Sequence, residues 1–309
     1  MGHVTSDASH KFIFYVKLLV EMPYDAPMKR VTRFAPSPTG HLHMGHAYSA
    51  MLAWSHAVES DGHFILRLED IDQSRCLPEF EDRIMEDLSW LGLSWDMPVR
   101  RQSEHMEDYA AILERLYSRD LLYPCFCTRK EIRAEVAQSN SAPHGPHGPV
   151  YPGTCKHMSV SDRDNKFSDE TPYALRLDME RALTGINLEN LTFLERGKGH
   201  IQCDPASFGD VVLARKDTPT SYHLAVTLDD ALQGVNLVVR GQDLFEATHI
   251  HRLLQHLLDL STPEYLHHGL VSDMKGRRLS KRDKDATIRS LRENGYSLEE
   301  VKKLSGFGK

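Results

Sequence analysis

The sequence predicts an α/β protein built on a doubly wound parallel sheet, and three observations carry that expectation. Short apolar runs alternate with amphipathic stretches through the first part of the chain. A Pro/Gly-rich turn joins the first run directly to a helical pattern, and a segment rich in Cys, Pro, Gly and His then interrupts the alternation before it resumes. Strand, tight loop and helix open a βαβ unit, and repeating that unit gives a parallel sheet covered by helices on both faces.

Taken in order, residues 31–35 read as a strand and residues 46–59 as a helix with apolar spacing of three and four. A second strand at 64–68 runs into Glu69-Asp-Ile-Asp72, and 79–91 and 105–121 follow as amphipathic helices. Near Tyr123 the pattern changes. Cys125-Phe-Cys127, a charged helix at 129–138, a Pro/Gly/His loop at 142–149 and Tyr151-Pro-Gly-Thr-Cys155 read as an insertion. Extended segments at 173–177 and 208–214, a buried strand at 235–239, a helix at 247–260 and a last strand at 266–271 complete the pattern. The expected division is an N-terminal extension of unassigned role (1–28), the two halves of a Rossmann-like domain (29–115 and 206–274), an insertion between them (116–205), and a basic loop with a short helical tail (275–309).

A chain of 309 residues, 40% apolar and 26% charged, exceeds one small core and suits about two domains. Its net charge of −7 excludes a globally basic nucleic-acid binder, so any RNA contact falls to a local patch. Residues 275–292 supply one, with eight basic residues against two acidic. Five cysteines form no secreted-type disulfide framework, which favours a reducing cytoplasm. The apolar stretch 12–20 contains Lys17, is too short to span a bilayer, and lacks the flanks of a secretory signal. No membrane association is expected.

The chemistry concentrates in Arg33-Phe-Ala-Pro-Ser-Pro-Thr-Gly-His-Leu-His-Met-Gly-His46 and Arg278-Leu-Ser-Lys-Arg282. Prolines stiffen the turn after the strand, while Gly40 and Gly45 let a ligand approach the backbone. The following helix presents its N-terminus to the same place, an arrangement that favours anions. His43 and His46 are then positioned to donate to phosphate oxygens as charge builds in phosphoryl transfer. Lys281 lies in a basic, glycine-containing loop suited to closing over a triphosphate. For a ligand bearing carboxylates, Arg33 and Arg240 offer guanidinium forks. Glu69, at the carboxyl end of a strand, could hold an ammonium, and Tyr222 offers a hydroxyl. In the insertion, Cys125, Cys127 and Cys155 bring three thiols together with Tyr151, enough for tetrahedral zinc. His144, His147 and His157 remain alternatives to Tyr151 as fourth ligand.

His43-Met-Gly-His46 and Arg278-Leu-Ser-Lys-Arg282 resemble the His-Ile-Gly-His and Lys-Met-Ser-Lys-Ser signatures of class I aminoacyl-tRNA synthetases. The longer context is similar to glutamyl-tRNA synthetases, above all to their short paralogues, the glutamyl-Q tRNA(Asp) synthetases, over about residues 29–285. The resemblance implies His43, His46 and Lys281 as catalytic residues, with Gly45 joining them around ATP. It implies Arg33, Phe34, Ala35, Pro36, Ser37, Glu69, Tyr222 and Arg240 around glutamate. One zinc on Cys125, Cys127, Tyr151 and Cys155, and magnesium with ATP, complete the cofactors. The implied partners are ATP, L-glutamate and queuosine-bearing tRNA(Asp), and the implied reaction is transfer of activated glutamate to that queuosine by a monomeric ligase. Only about 27 residues follow Arg282, less than a separate anticodon-reading domain needs, which favours this reading. Glutamate charging of a tRNA 3′ end and a non-catalytic nucleotide-binding paralogue are the alternatives. Retention of His43, His46, Arg33, Glu69, Arg240 and Lys281 disfavours the last.

Overall fold

Side-chain alternation along the strands organises the molecule, which a computed structural model describes for residues 29–138, 144–145, 148–269 and 287–307. Expectations for residues 1–28, for Arg278 and Lys281 in the basic loop, and for His147 lie outside the described residues. The first half contains β1 (Val31–Phe34), α1 (Met44–Glu59), β2 (His63–Leu68), α2 (Pro78–Trp90), β3 (Asp96–Arg101) and α3 (Met106–Tyr117). Next come β4 (Leu122–Cys125), α4 (Arg129–Gln138), β5 (His144–Gly145), β6 (Gly148–Pro149), α5 (Val160–Ser168), β7 (Ala174–Leu177) and α6 (Met179–Leu183). The chain continues through β8 (Thr192–Glu195), β9 (Gly199–Gln202), β10 (Val212–Ala214), α7 (Tyr222–Leu232), β11 (Leu237–Gly241), α8 (Ala247–Leu257) and β12 (Glu264–His268). It closes with α9 (Ile288–Glu293) and α10 (Leu298–Ser305).

Strands β1, β2 and β3 form a parallel sheet with β2 in the middle. Strands β11, β12 and β8 form a second parallel set, with β9 antiparallel at its edge. The two meet at β1 and β11, where the Asn236 N–H donates to the Val31 carbonyl (3.1 Å) and the Val31 N–H donates to Asn236 Oδ1 (2.9 Å). Strand order reverses at this junction, the place where doubly wound sheets bind ligands.

Strands β1, β2, β11 and β12 feed two cores. Phe34, Phe64, Leu66, Leu237 and Val239 join the core under α1 and α2. Val31, Ile65, Val238 and Tyr265 join the opposite core, which includes residues of α3, α7 and α8. Period two therefore puts Arg33, Arg67, Arg240 and His267 on this second face, opposite α7 and α8. In the insertion, β10, β7 and β4 make an antiparallel sheet beside a small core of Tyr123, Cys125, Phe126, Tyr151 and Cys155.

The expected strands and helices up to residue 121 are present with shifted ends, and the differences elsewhere have physical reasons. Helix α7 escapes a reading by periodicity because Leu224 through Asp230 are all buried, leaving no polar face to mark a 3.6-residue period. Strand β3 contains Pro98 and is an edge strand, where a missing N–H is tolerated. The segment expected to be extended from 208 begins as a 3-10 turn (Pro205–Phe208), and only Val212–Ala214 is strand. Within the span 116–205, β8 and β9 pair with the large sheet, while β4 and β7 build the insertion sheet together with β10.

Candidate active site

The motif after β1 forms the rim of a cleft of about 1010 Å³ above the β1/β11 junction. Arg33, Phe34, Ala35, Pro36, Ser37, His43, Gly45, His46, Glu69, Tyr222 and Arg240, drawn from widely separated positions, all line it. Lys281 lies outside the described residues.

His43 is the N-cap of α1. Its Nδ1 accepts the Gly45 N–H (3.2 Å), and its own N–H is donated to His46 Nδ1 (3.3 Å), a reciprocal cap built from two imidazoles. The rings stack with centroids 3.7 Å apart. Because both Nδ1 atoms accept, the proton of each neutral ring is assigned to Nε2. Glycine at position 45 gives this stacking room: a Cβ there would press on the His43 ring at 3.2 Å. At Gly40 a Cβ would meet no atom of the described residues within 4 Å. The N-terminus of a 16-residue helix thus lies at the cleft beside two ring donors, and its dipole makes the setting suited to phosphate.

Two differently held arginines line the cleft. Arg33 Nε donates to Asp230 Oδ1 (3.0 Å) and Nη1 to the Val239 carbonyl (3.3 Å). Asp230 also receives Arg67 Nη2 (2.8 Å), and Arg67 Nη2 lies 3.5 Å from Glu69 Oε1. Neighbouring Asp229 accepts from Arg100 Nε (2.8 Å), Gln102 Nε2 (2.8 Å) and the Tyr109 hydroxyl (2.9 Å). Burial raises the Glu69 carboxyl above its ordinary range, against the opposing pull of Arg67 and then Arg33. Arg240, by contrast, has only neutral partners among the described residues: Nε donates to His267 Nε2 (3.0 Å), Nη2 to Thr248 Oγ1 (2.8 Å) and Nη1 to the Tyr222 hydroxyl (3.2 Å). His251 Nδ1 lies 3.3 Å from the same Nη1. The Tyr222 oxygen accepts from Arg240, which leaves its O–H to act as donor.

Sequence reasoning missed Arg67, Asp229 and Asp230, although an arginine between Leu66 and Leu68 and paired acids within an apolar helix were visible signals. It also missed the outer wall from the C-terminal helices. Ile288 N–H donates to the Leu42 carbonyl (2.9 Å), and Thr287, Arg289, Ser290 and Glu293 line the cleft.

The insertion cysteines do converge. Ligand atoms of Cys125, Cys127 and Cys155 all lie within 4.8 Å of one another. Tyr151 Oη is 3.4 Å from Cys125 Sγ and 3.5 Å from Cys127 Sγ, and it accepts the Cys155 N–H at 2.9 Å. Tetrahedral zinc with Zn–S of about 2.3 Å needs sulfurs about 3.8 Å apart, so this donor set fits. His157 is exposed, and it is not part of the cluster among the described residues.

A switch-point cleft, a histidine-capped helix N-terminus and buried arginines at strand ends are features of a nucleotide-binding α/β domain. The family model for class I tRNA synthetases (E and Q), catalytic domain, matches residues 29–304, and the chain belongs to this family. It is 48% identical to a glutamyl-Q tRNA(Asp) synthetase of Rhodobacter capsulatus, over 90% of this chain and 100% of that one. Similarity to a glutamate–tRNA ligase of Aquifex aeolicus is 35% identity over 87% of this chain and 54% of the relative. A crystal structure of a glutamate tRNA ligase from Elizabethkingia meningosepticum in complex with its amino acid superposes with a TM-score of 0.70, at 30% identity over 84% of this chain and 53% of that chain. The chain thus spans about half the length of the glutamate–tRNA ligases it matches. No helix among the described residues is long and apolar enough to cross a membrane.

Proposed function

We propose that this enzyme activates L-glutamate with ATP and transfers it to queuosine in the anticodon loop of tRNA(Asp). The observation that carries the chemistry is the convergence of Arg33, Glu69, Tyr222 and Arg240 with the His43/His46 helix N-terminus in one cleft. In this reading the Arg240 guanidinium and Tyr222 hydroxyl receive a glutamate carboxylate, and Glu69 receives its ammonium. The reacting carboxylate attacks the α-phosphorus of ATP in line, and His43, His46 and the start of α1 stabilise charge on the phosphates. Magnesium accompanies ATP, and Lys281 is assigned to the leaving pyrophosphate. Destination of the glutamate is supported by the 48% identity to a relative named for that reaction, matched over its whole length. Incubation with labelled glutamate, ATP and tRNA from cells with or without queuosine tests the reading. Queuosine-dependent, base-labile label is expected; label on the tRNA 3′ end without queuosine would replace the reading with ordinary charging.

Cys125, Cys127, Tyr151 and Cys155 are the residues that would hold one zinc, tying the β4 end to the loop before α5 and giving the insertion a fixed shape. Metal analysis of purified protein is expected to return about one zinc per chain, and Cys125→Ser to remove most of it. A metal-free native protein with an unchanged melting midpoint would discard this assignment. The arrangement of 29–115 and 206–274 as a catalytic body, with 116–205 largely an appendage, and a monomeric cytoplasmic enzyme belong to the same proposal.

A further inference from the structure

Arg33 and Arg240 both line the cleft, yet their surroundings are opposite. Arg33 touches a carboxylate directly, at 3.0 Å from Asp230. Among the described residues, no carboxylate lies within 4.0 Å of the Arg240 guanidinium, although Arg240 is only 5% exposed. A buried guanidinium without a counter-ion is costly, so the surroundings must tolerate it until an anion arrives.

What lies behind Arg240 shows how this is done. His267 is its register partner on the adjacent strand β12. His267 Nε2 accepts Arg240 Nε–H (3.0 Å), so the imidazole proton sits on Nδ1, where it is donated to Glu195 Oε2 (2.7 Å). Glu195 is held in turn by the His267 backbone N–H, which donates to its other oxygen (2.9 Å). The His267 side chain is fully buried and that of Glu195 nearly so. Burial, and next the Arg240 charge, pushes His267 down to about 2, so the ring between the two charges is neutral.

We propose that Glu195 and His267 form a positioning pair for Arg240, with the imidazole as a spacer that aims the guanidinium while keeping Glu195 from neutralising it. Glu195 lies close enough to offset the buried positive charge electrostatically. It lies one ring too far to occupy the fork. Direct pairing, as at Arg33, would force an incoming carboxylate to displace a resident one. With the spacer, the substrate carboxylate becomes the first anion that Arg240 meets. The pair specifies the ligand class of that subsite, a carboxylate in place of a neutral amide, because an amide brings no charge to complete the row Glu195–His267–Arg240.

This inference rests on the glutamate-activating reading, and ATP–pyrophosphate exchange separates the two. Glu195→Gln, His267→Leu and His267→Gln would be compared with the unaltered enzyme for glutamate KM, ATP KM, kcat and melting midpoint. Losing an outer partner of a binding group costs on the order of 10- to 100-fold, so Glu195→Gln is expected near the lower bound and His267→Leu near the upper, both in glutamate KM. ATP KM and kcat should stay within about threefold. His267→Gln keeps an acceptor near the Nε2 position and should recover most of the affinity. Equal losses for both substrates without recovery by glutamine, or an unchanged glutamate KM, would overturn the pair's role. Failure of the unaltered enzyme to exchange with glutamate at all would overturn the underlying reading and this inference with it.

Discussion

Arg240→Leu is expected to lower kcat/KM for glutamate in ATP–pyrophosphate exchange on the order of 100- to 1000-fold, with ATP KM within about threefold. The size follows from the cleft. Arg240 supplies the charge that a carboxylate would meet, and its Nη1 aims the Tyr222 hydroxyl (3.2 Å), so one substitution removes a guanidinium and misdirects a second donor. Lysine should rescue little. A lysine ammonium is a point charge without a fork, and it cannot serve His267, Thr248 and Tyr222 together as the Nε, Nη2 and Nη1 groups do. Glutamate titrations at saturating ATP read the effect directly. A glutamate KM unchanged by Arg240→Leu would move the carboxylate site elsewhere.

Why Arg240 was legible in sequence, while the groups that hold it were not, is a matter of distance along the chain. An arginine closing the apolar run Leu-Val-Val is conspicuous because strands of a parallel sheet are buried on both faces. Arg33, His43 and His46 stand out through the resemblance of the turn after β1 to a family motif, whereas the reciprocal His43/His46 cap is visible only in the structure. Glu195 is 72 residues from the His267 it supports, and nothing local marks either as a partner of the other. Only the strand order β11, β12, β8 brings them into one row. Helix α7 was hidden for a related reason. It is packed on all sides, so the signal of a polar face is missing, and only the fold shows Asp230 reaching Arg33 of β1 and Arg67 of β2. The convergence of Cys125, Cys127 and Cys155 was legible as a break in composition, because cysteine and proline spacing is local. The edges of the insertion were not, since β8 and β9 pair with the large sheet and β10 with the small one.

Asp230→Ala is expected to be the most destabilising single change in the site. Asp230 is 6% exposed and holds two buried guanidiniums at once, Arg33 at 3.0 Å and Arg67 at 2.8 Å. A buried ion pair need not stabilise a fold relative to an apolar substitute, but removing one partner leaves the other charged and dry, at a cost of about 3–5 kcal/mol. Arg67 cannot escape by losing its proton. A guanidinium stays protonated in proteins, and in the intact site Asp230, Asp229 and Glu69 outweigh the burial that disfavours its charge. In a chain of this size each kcal/mol lowers the melting midpoint by about 2–4 °C, so a fall of roughly 10 °C is expected. Asp230→Asn keeps the shape and one acceptor and should fall less, which keeps the test open if the alanine variant does not fold. The same pairing sets an acid limit. Burial alone would raise the Asp230 pKa, but Arg33 and then Arg67 hold it below its ordinary value. Its contribution is therefore present above the unfolded aspartate pKa of about 3.9 and lost as pH falls through the lowered folded value. Thermal unfolding of the three proteins between neutral and acidic pH should show the gap between unaltered enzyme and Asp230→Asn narrowing toward acid. A gap that stayed constant, or alanine and asparagine variants melting with the unaltered enzyme, would mean that Arg33 and Arg67 are held by something other than Asp230.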